Sequence, residues 1–445
     1  MSIKVTYKIE LSSKSQNKPL IDEIMDQFCK DSSWGTHASP LHAIKETISE
    51  DGNWRELEPN YSVTLSEKNL YLIDVYFKTK QFNFHTEGLA HFIGTIAGDI
   101  LSNRSFKSVS VEDIVFPKSY VDDFFPHPNL GVDALRNDFL SETLDNSNRP
   151  FLAYSIKPRL GLNKLQFKEL LENISNSRAD IIEDDERIID PEICSFQDRL
   201  DIISNIDFNK GTKYSINVTF PLQHLKDKVQ EAYDSGIRVF KYDVMVGSFD
   251  GLLYLRKIIK MFKEECALTV FPDVYGLNFR NLSRRVVLKL SRLCGADIIY
   301  GGSPKWDWSR YGYLANFEEF KNNHRILLED IDGHDINSTL PTITHDIQPT
   351  YLEYTIYHLR KRFNNHLNYA FFIGGGISAY PGGNEVKDVI DEYITTMEEA
   401  SEKDLSEIRS WKEIPQIVGN AFQADRDLKK EFQRLNWPSI KRIKS

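Results

Sequence analysis

The chain has 445 residues, 41% of them hydrophobic and 27% charged, with a formal net charge of −10. That length exceeds the roughly 100 to 200 residues of an ordinary domain, so two domains with sizeable cores are expected. An acidic balance without a basic stripe speaks against a nucleic-acid partner, and no apolar run approaches the roughly 20 residues that cross a bilayer, so no membrane association is expected.

In chain order, the amino terminus MSIKVTYKIELSSKS alternates polar and apolar residues like a strand and lacks the continuous apolar stretch of a signal peptide, which predicts a cytoplasmic protein. Residues 1–125 read as a small α+β unit, with strands IKVTYKIEL and NLYLIDVYFK and helices around LIDEIMDQF and TEGLAHFIGTIAGDIL. DDFFPHPNLGVDALRND, with two prolines and mixed polarity, reads as the connection. From about Pro150, short β-branched or aromatic runs alternate with longer amphipathic stretches, the pattern of βαβ units. The runs are FLAYSI, ADIIED, KYSINVTF, RVFKYDVM, ALTVFPDV, ADIIYGG, LPTITHDI and YAFFIG, which makes eight. Eight strand and helix repeats close into a barrel whose site lies at the carboxyl ends of the strands. Two of the helical stretches, QHLKDKVQEAYDSG and SRRVVLKLSRLCG, end on a glycine suited to a C-cap. Residues 126–400 are therefore assigned to a (β/α)8 barrel, and the strongly charged residues 401–445 to helices packed outside it. Cys29, Cys194, Cys266 and Cys294 lie far apart and form no CxxC pair, so they read as buried free thiols.

Three strand ends carry candidate chemistry. SIKPRLGL after the first strand sets Lys157 and Arg159 at the mouth, two cations suited to an anionic substrate; the plainer reading is a solvated loop. IIEDDERI after the second gathers Glu183, Asp185 and Glu186 within four residues, a set of oxygen ligands for Mg²⁺ if the turn brings them together, or otherwise a solvated acidic surface. FFIGGGISAYPGG after the eighth places Gly374, Gly375 and Gly376 where backbone N–H groups can approach a phosphate, or where the chain merely turns. Strands one, two and eight are neighbours in a closed barrel, so each site strengthens the others.

At these motifs the chain resembles the RuBisCO large subunit and the RuBisCO-like proteins. SIKPRLGL is similar to the family's IKPKLGL, FPHPNLGVDALR to FPGPxFGIxGIR, IGGGISAYPGG to FGGGTLGHPWG, KDSSWGTHASP to ESSTGTWT and YDVMVGSF to HDYLTGGF. The resemblance implies a ferredoxin-like α+β domain before the barrel and a homodimer with shared active sites. It places Lys157 at the enolisation lysine, Arg159 at a second active-site lysine, and Lys305, in GGSPKWDW, near the loop lysine that stabilises the CO₂ adduct in carboxylases. In the family's KDDE motif the lysine is carbamylated and holds Mg²⁺ with the aspartate and glutamate. Here that lysine is Glu183, followed by Asp185 and Glu186, which implies metal binding without carbamylation and disfavours the methionine-salvage enolase branch.

Other positions depart from the family. Tyr300 stands at the histidine after strand six, FPDVYGLNF matches no strand-five histidine, and Thr344, His345 and Asp346 replace the SGG that binds one phosphate. In the first domain, Asp31, Ser33 and Thr36 lie in the segment that reaches a neighbouring barrel, His37 replaces a tryptophan, and Asp99 replaces an asparagine that orients CO₂. The resulting expectation is a non-carboxylating enzyme enolising a small anionic, sugar-derived substrate, with Lys157 or Asp99 as base and His345 as a weaker candidate. The competing expectation is a non-catalytic member that binds a metabolite or partner protein.

Overall fold

The structure, a computed structural model, describes residues 1–12, 18–33, 54–67, 69–145, 147–272, 281–304, 314–315, 317–344, 347, 349–364, 366–378 and 385–404. The alternation at the amino terminus builds β1 (Ser2–Leu11), in which Ile3, Val5, Tyr7, Ile9 and Leu11 are all buried on one face. β2 (Asn60–Glu67), β3 (Leu70–Lys78) and β4 (Phe106–Val115) complete an antiparallel sheet of order β2-β3-β1-β4. Helices Lys18–Asp31 and Ala90–Ala97 connect its strands and contribute Ile21, Met25, Phe28, Phe92 and Ile96 to the core. This is the ferredoxin-like arrangement. β2 and β4, the two edge strands, escape the reading of the sequence because serine, threonine and acidic residues interrupt their apolar runs, as suits a half-solvated edge.

All eight expected barrel strands form. They are β5 (Phe151–Ser155), β6 (Ile181–Glu183), β7 (Lys213–Asn217), β8 (Val239–Asp243), β9 (Ala267–Phe271), β10 (Ile298–Tyr300), and, after a two-residue pair of β11 (Ser303–Pro304) with β12 (Leu314–Ala315), β13 (Leu340–Thr344) and β14 (Ala370–Ile373). The parallel sheet closes in the order β10-β13-β14-β5-β6-β7-β8-β9. Gly236 and Gly295, with φ of 91° and 106°, end the two helices as expected, a backbone that favours glycine. Asn163 and Gln166 form a reciprocal capping box that starts helix Lys164–Ile174.

The proline-containing connection is more ordered than its composition implies. It folds into helical turns at Val132–Ala134, Leu135–Phe139 and Ser141–Leu144. Leu130, Val132, Leu135, Leu140 and Leu144 join Phe151, Ile181, Val239, Ala267 and Ile298 in one apolar cluster at the beginnings of the strands. Each such buried side chain contributes about 1.5–3 kcal/mol, so the segment seals the barrel floor. Polar ties join the domains, among them two made by buried or capping side chains. The Asp250 carboxylate accepts from the N–H groups of Leu89 at 2.7 Å and Ala90 at 3.1 Å, capping helix Ala90–Ala97, and Lys289 Nζ reaches Asp113 at 2.6 Å and Asp332 at 2.9 Å.

The four cysteines are free and buried. Among the described residues no helix is long and apolar enough to cross a membrane. The expected helices of 401–445 lie outside the described residues beyond residue 404.

Candidate active site

Hydrogen bonding of β5 to β6 pairs Ser155 with Glu183, so the loops that follow these strands rise side by side at the mouth. There Lys157 Nζ pairs with Asp185 Oδ2, Arg159 Nε stands 3.5 Å from the same oxygen, and an Arg159 terminal nitrogen lies 3.8 Å from Glu186 Oε1. The Lys157 and Arg159 side chains are 21% and 54% exposed, whereas Asp185 is buried. Burial acts to raise the Asp185 carboxyl, but Lys157 beside it, Lys241 and the Arg187 N–H together hold it below the ordinary value. Burial raises Glu186, opposed by Lys241 and reinforced by the negative charge of Asp185.

β14 adjoins β5 on the other side. A Cβ added at Gly374 would lie 2.6 Å from Lys157 Cε and 2.9 Å from the Ser155 carbonyl, so glycine is what lets the Lys157 stem cross this strand end. At Gly376 a Cβ would meet the Ile347 carbonyl at 2.5 Å, while at Gly375 it would meet nothing within 4 Å. Two of the three glycines thus serve packing, and the middle one leaves the backbone accessible.

Below the mouth, the barrel interior holds a buried polar cluster. Glu183 Oε1 accepts from Lys241 Nζ at 3.0 Å and also from the hydroxyls of Ser155 and Tyr300. Lys241 donates further to the Asp184 carbonyl at 2.9 Å and approaches Tyr300 Oη at 3.4 Å. Burial tends to lower the Lys241 ammonium, but Glu183, Glu186 and Asp185 outweigh it and raise it. Burial, with the charge of Glu183, pushes the Tyr300 phenol well above its usual range. Asp184 points the other way, accepting from Tyr214 Oη at 2.6 Å and lying 3.4 Å from Arg199. That reversal follows from strand alternation.

The Mg²⁺ set expected from Glu183, Asp185 and Glu186 is not gathered. One condition of a metal site is met, since Glu183 Oε2 is buried without a hydrogen-bond partner. The others fail. β6 ends at Glu183, so Asp185 turns toward Lys157 while Glu183 turns inward to Lys241, and among the described residues no three carboxylate, histidine or cysteine side chains converge as a metal would require. The residues present do not fit the ion.

The remaining expected residues are dispersed. Thr344 closes β13, where its N–H donates to Ser303 Oγ at 3.2 Å and the Ser303 hydroxyl donates back to its carbonyl. Asp99 begins the short helix Asp99–Ser102 and lines a cleft of about 530 Å³ in the first domain with Asp31, Ser33, Gln81 and His91, apart from this chain's own Lys157 and Glu186. Thr36, Lys305 and His345 lie outside the described residues.

Lys241 was missed. Its signal is present in RVFKYDVM, where it shares strand parity with Val239 and Asp243 and opposes Phe240 and Tyr242. A lone lysine inside a barrel strand must find an interior anion.

The comparisons agree with this architecture. The family model described as ribulose bisphosphate carboxylase large chain, N-terminal domain, matches residues 5–120. A ribulose bisphosphate carboxylase of Archaeoglobus fulgidus is 22% identical over 386 residues, covering 78% of this chain and 84% of its own. Another from Methanosarcina mazei is 26% identical over 322 residues, covering 67% and 71%. Among solved structures, the octameric RuBisCO of Pyrococcus horikoshii superposes with a TM-score of 0.75 at 18% identity, covering 98% of this chain and 95% of that one. The dimeric archaeal RuBisCO of Hyperthermus butylicus gives 0.73 at 19% identity, covering 99% and 96%. With the two-domain fold and the order of the motifs, these matches make the chain similar along most of its length to the RuBisCO large subunit, at low identity to the carboxylases it resembles.

Proposed function

We propose that the barrel mouth binds a small anionic, sugar-derived ketone and enolises it without fixing CO₂. The observation that carries this reading is the juxtaposition of Lys157 and Arg159 with Asp185 and Glu186 across two adjacent strand ends, all within 3.8 Å contacts. Enolisation moves a proton from the carbon beside a carbonyl to a base, while the C–H electron pair forms the new double bond and the carbonyl oxygen becomes an enolate. Lys157 and Arg159 are placed to brace that oxygen and a second anionic group of the substrate, and Glu186 is the carboxylate placed to accept the proton. The open backbone at Gly375 suits close approach of a phosphate.

Carboxylation is disfavoured on chemical grounds. Glu183 has no amine to carbamylate, and Asp99, at the position implied to orient CO₂, would repel the carboxylate being formed. The superfamily generally uses Mg²⁺, but no step here is routed through a metal, because the three carboxylates do not assemble around one. A homodimer is part of the proposal, since it would bring the cleft of Asp31, Ser33 and Asp99 to a neighbouring barrel; the relatives named above are described as dimeric and octameric. Four buried free thiols suit the reducing cytoplasm.

The test is α-proton exchange of a panel of ketose phosphates in deuterated water, followed by NMR. We expect exchange with at least one member and a loss of about 10²–10³-fold in Lys157→Met, the scale of removing an electrostatic stabiliser. A second reading, a non-catalytic metabolite binder, is favoured by the mutual ion pairing of the mouth residues. Saturable binding with no exchange would select it.

A further inference from the structure

The family's catalytic metal is balanced by three negative groups on the loop after the second barrel strand. Here the same loop keeps three carboxylates, Glu183, Asp185 and Glu186, yet three cations of the chain itself stand among them: Lys241, Lys157 and Arg159. Charge is therefore matched one for one before any ion arrives. The decisive member is Lys241. Its side chain is 1% exposed, its ammonium is held by Glu183 Oε1 at 3.0 Å and the Asp184 carbonyl at 2.9 Å, and the rings of Phe271 and Tyr300 lie 5.4 and 5.2 Å from it. β8 fixes its backbone, and its side chain lies buried among Glu183, Phe271 and Tyr300.

We propose that Lys241 is a built-in cation that replaces the divalent metal, so that Glu183 serves as the counter-ion of Lys241 and this barrel works without Mg²⁺. Two features of the geometry support the replacement. Glu183 stands where the carbamylated lysine is implied by resemblance, so negative charge at that point has been kept. Lys241 enters the interior from β8, one strand beyond β7, and meets it with the positive charge that the ion would have supplied. Tyr300, in place of a histidine by the same resemblance, adds a hydroxyl to the same oxygen of Glu183. A buried anion whose partner is removed must acquire another or become protonated. Lys241 and Glu183 are thus interdependent, and this holds whichever reaction the mouth performs.

The experiment is Mn²⁺ binding to the full-length, chelator-stripped protein, read by electron paramagnetic resonance and by the thermal midpoint, with and without bicarbonate. The unaltered chain should bind no Mn²⁺ at the barrel and show no Mn²⁺-dependent shift of its midpoint. Lys241→Met keeps the length of the side chain and removes its charge, leaving the inward-facing Glu183, whose Oε2 already lacks a partner, to take an ion in place of the ammonium; it should gain one site per chain that binds at least about tenfold more tightly than any seen in the unaltered protein. The double variant Lys241→Met with Glu183→Gln should fold and lose that site. Should Lys241→Met fold only with Mn²⁺ present, the midpoint becomes the readout and the idea stands. Binding of Mn²⁺ by the unaltered chain that Glu183→Gln abolishes would overturn it, as would binding that appears only with bicarbonate, which would mean a carbamate on Lys241. Absence of proton exchange in the substrate screen would leave this inference untouched, so the two proposals fail separately.

Discussion

The barrel carries buried charge at both ends, and the two ends use it differently. At the floor, Asp180 and Asp297 stand immediately before β6 and β10. Asp180 takes a bidentate pair from Arg149 at 2.8 and 3.0 Å plus the Leu152 N–H, and Asp297 accepts from the N–H groups of Asn129, Leu130 and Leu268, each at 2.8 Å, besides Arg256. Both oxygens of each carboxylate are occupied by rigid donors. At the mouth, Asp185 and Glu186 face partly exposed Lys157 and Arg159, which leave room for a ligand. The same residue types thus act as fixtures where rigid donors occupy both oxygens and as candidate chemistry where partly exposed cations are among their partners.

Breaking a floor pair should have the largest effect. Asp297→Ala would leave the fully buried Arg256 without its counter-ion and three backbone N–H groups without their acceptor. Breaking one side of a buried pair costs about 3–5 kcal/mol, so chemical denaturation should show a loss of that size, or no folded protein at all. A loss under about 1 kcal/mol would put the floor pairs in the class of surface ion pairs and dissolve the contrast.

A buried titratable group with no partner offers an intermediate case. His324 is packed between Phe320 and Phe363, with ring centroids 4.1 and 5.4 Å away, and neither ring nitrogen finds a hydrogen bond. Burial pushes the imidazole from 6.5 down to about 3, with His366 adding to the effect. Because the folded state resists the proton, stability from this group is present above pH 6.5 and is lost as pH falls from there toward 3. Between pH 7 and pH 5 the loss should be about 2 kcal/mol, and His324→Leu should remove that part of the slope. Equal slopes in the two proteins would show that relaxation, not burial, governs this position.

How much of this was legible differs between the two ends. The eight strands could be read because each is a short apolar run bounded by turn residues, and the glycine C-caps at Gly236 and Gly295 because only glycine accepts that backbone cheaply. The adjacency of the loops carrying Lys157, Glu183 and Gly374 follows from barrel closure once the strands are counted. The direction of Glu183 does not. Residues 183 and 185 share parity in a strand, but β6 stops at Glu183, and the chain then sends Asp185 toward Lys157. Nor does local pattern pair Glu183 with Lys241, 58 residues later, since that contact depends on β6 and β8 flanking β7 in the closed sheet and both turning these side chains into the interior. Asp99 differs again: its cleft is lined by residues of the first domain, and counting barrel strands says nothing of it.

The smallest expected effect on folding is also the sharpest test of the contrast. Arg159 is 54% exposed, and its contacts with Asp185 and Glu186, at 3.5 and 3.8 Å, are single and long. Solvent screening reduces such pairs to about 0–1 kcal/mol, so Arg159→Ala should unfold at nearly the same denaturant concentration as the unaltered protein. If the mouth exists to bind an anion, the same substitution should weaken binding of a ketose phosphate about tenfold, as loss of one charge-assisted contact worth ~1.4 kcal/mol predicts. Calorimetry and denaturation on the one variant therefore separate the two roles. A stability loss matching that of Asp297→Ala, with anion binding intact, would make Arg159 a fixture like the floor arginines and would remove the mouth cations as the substrate's anchor.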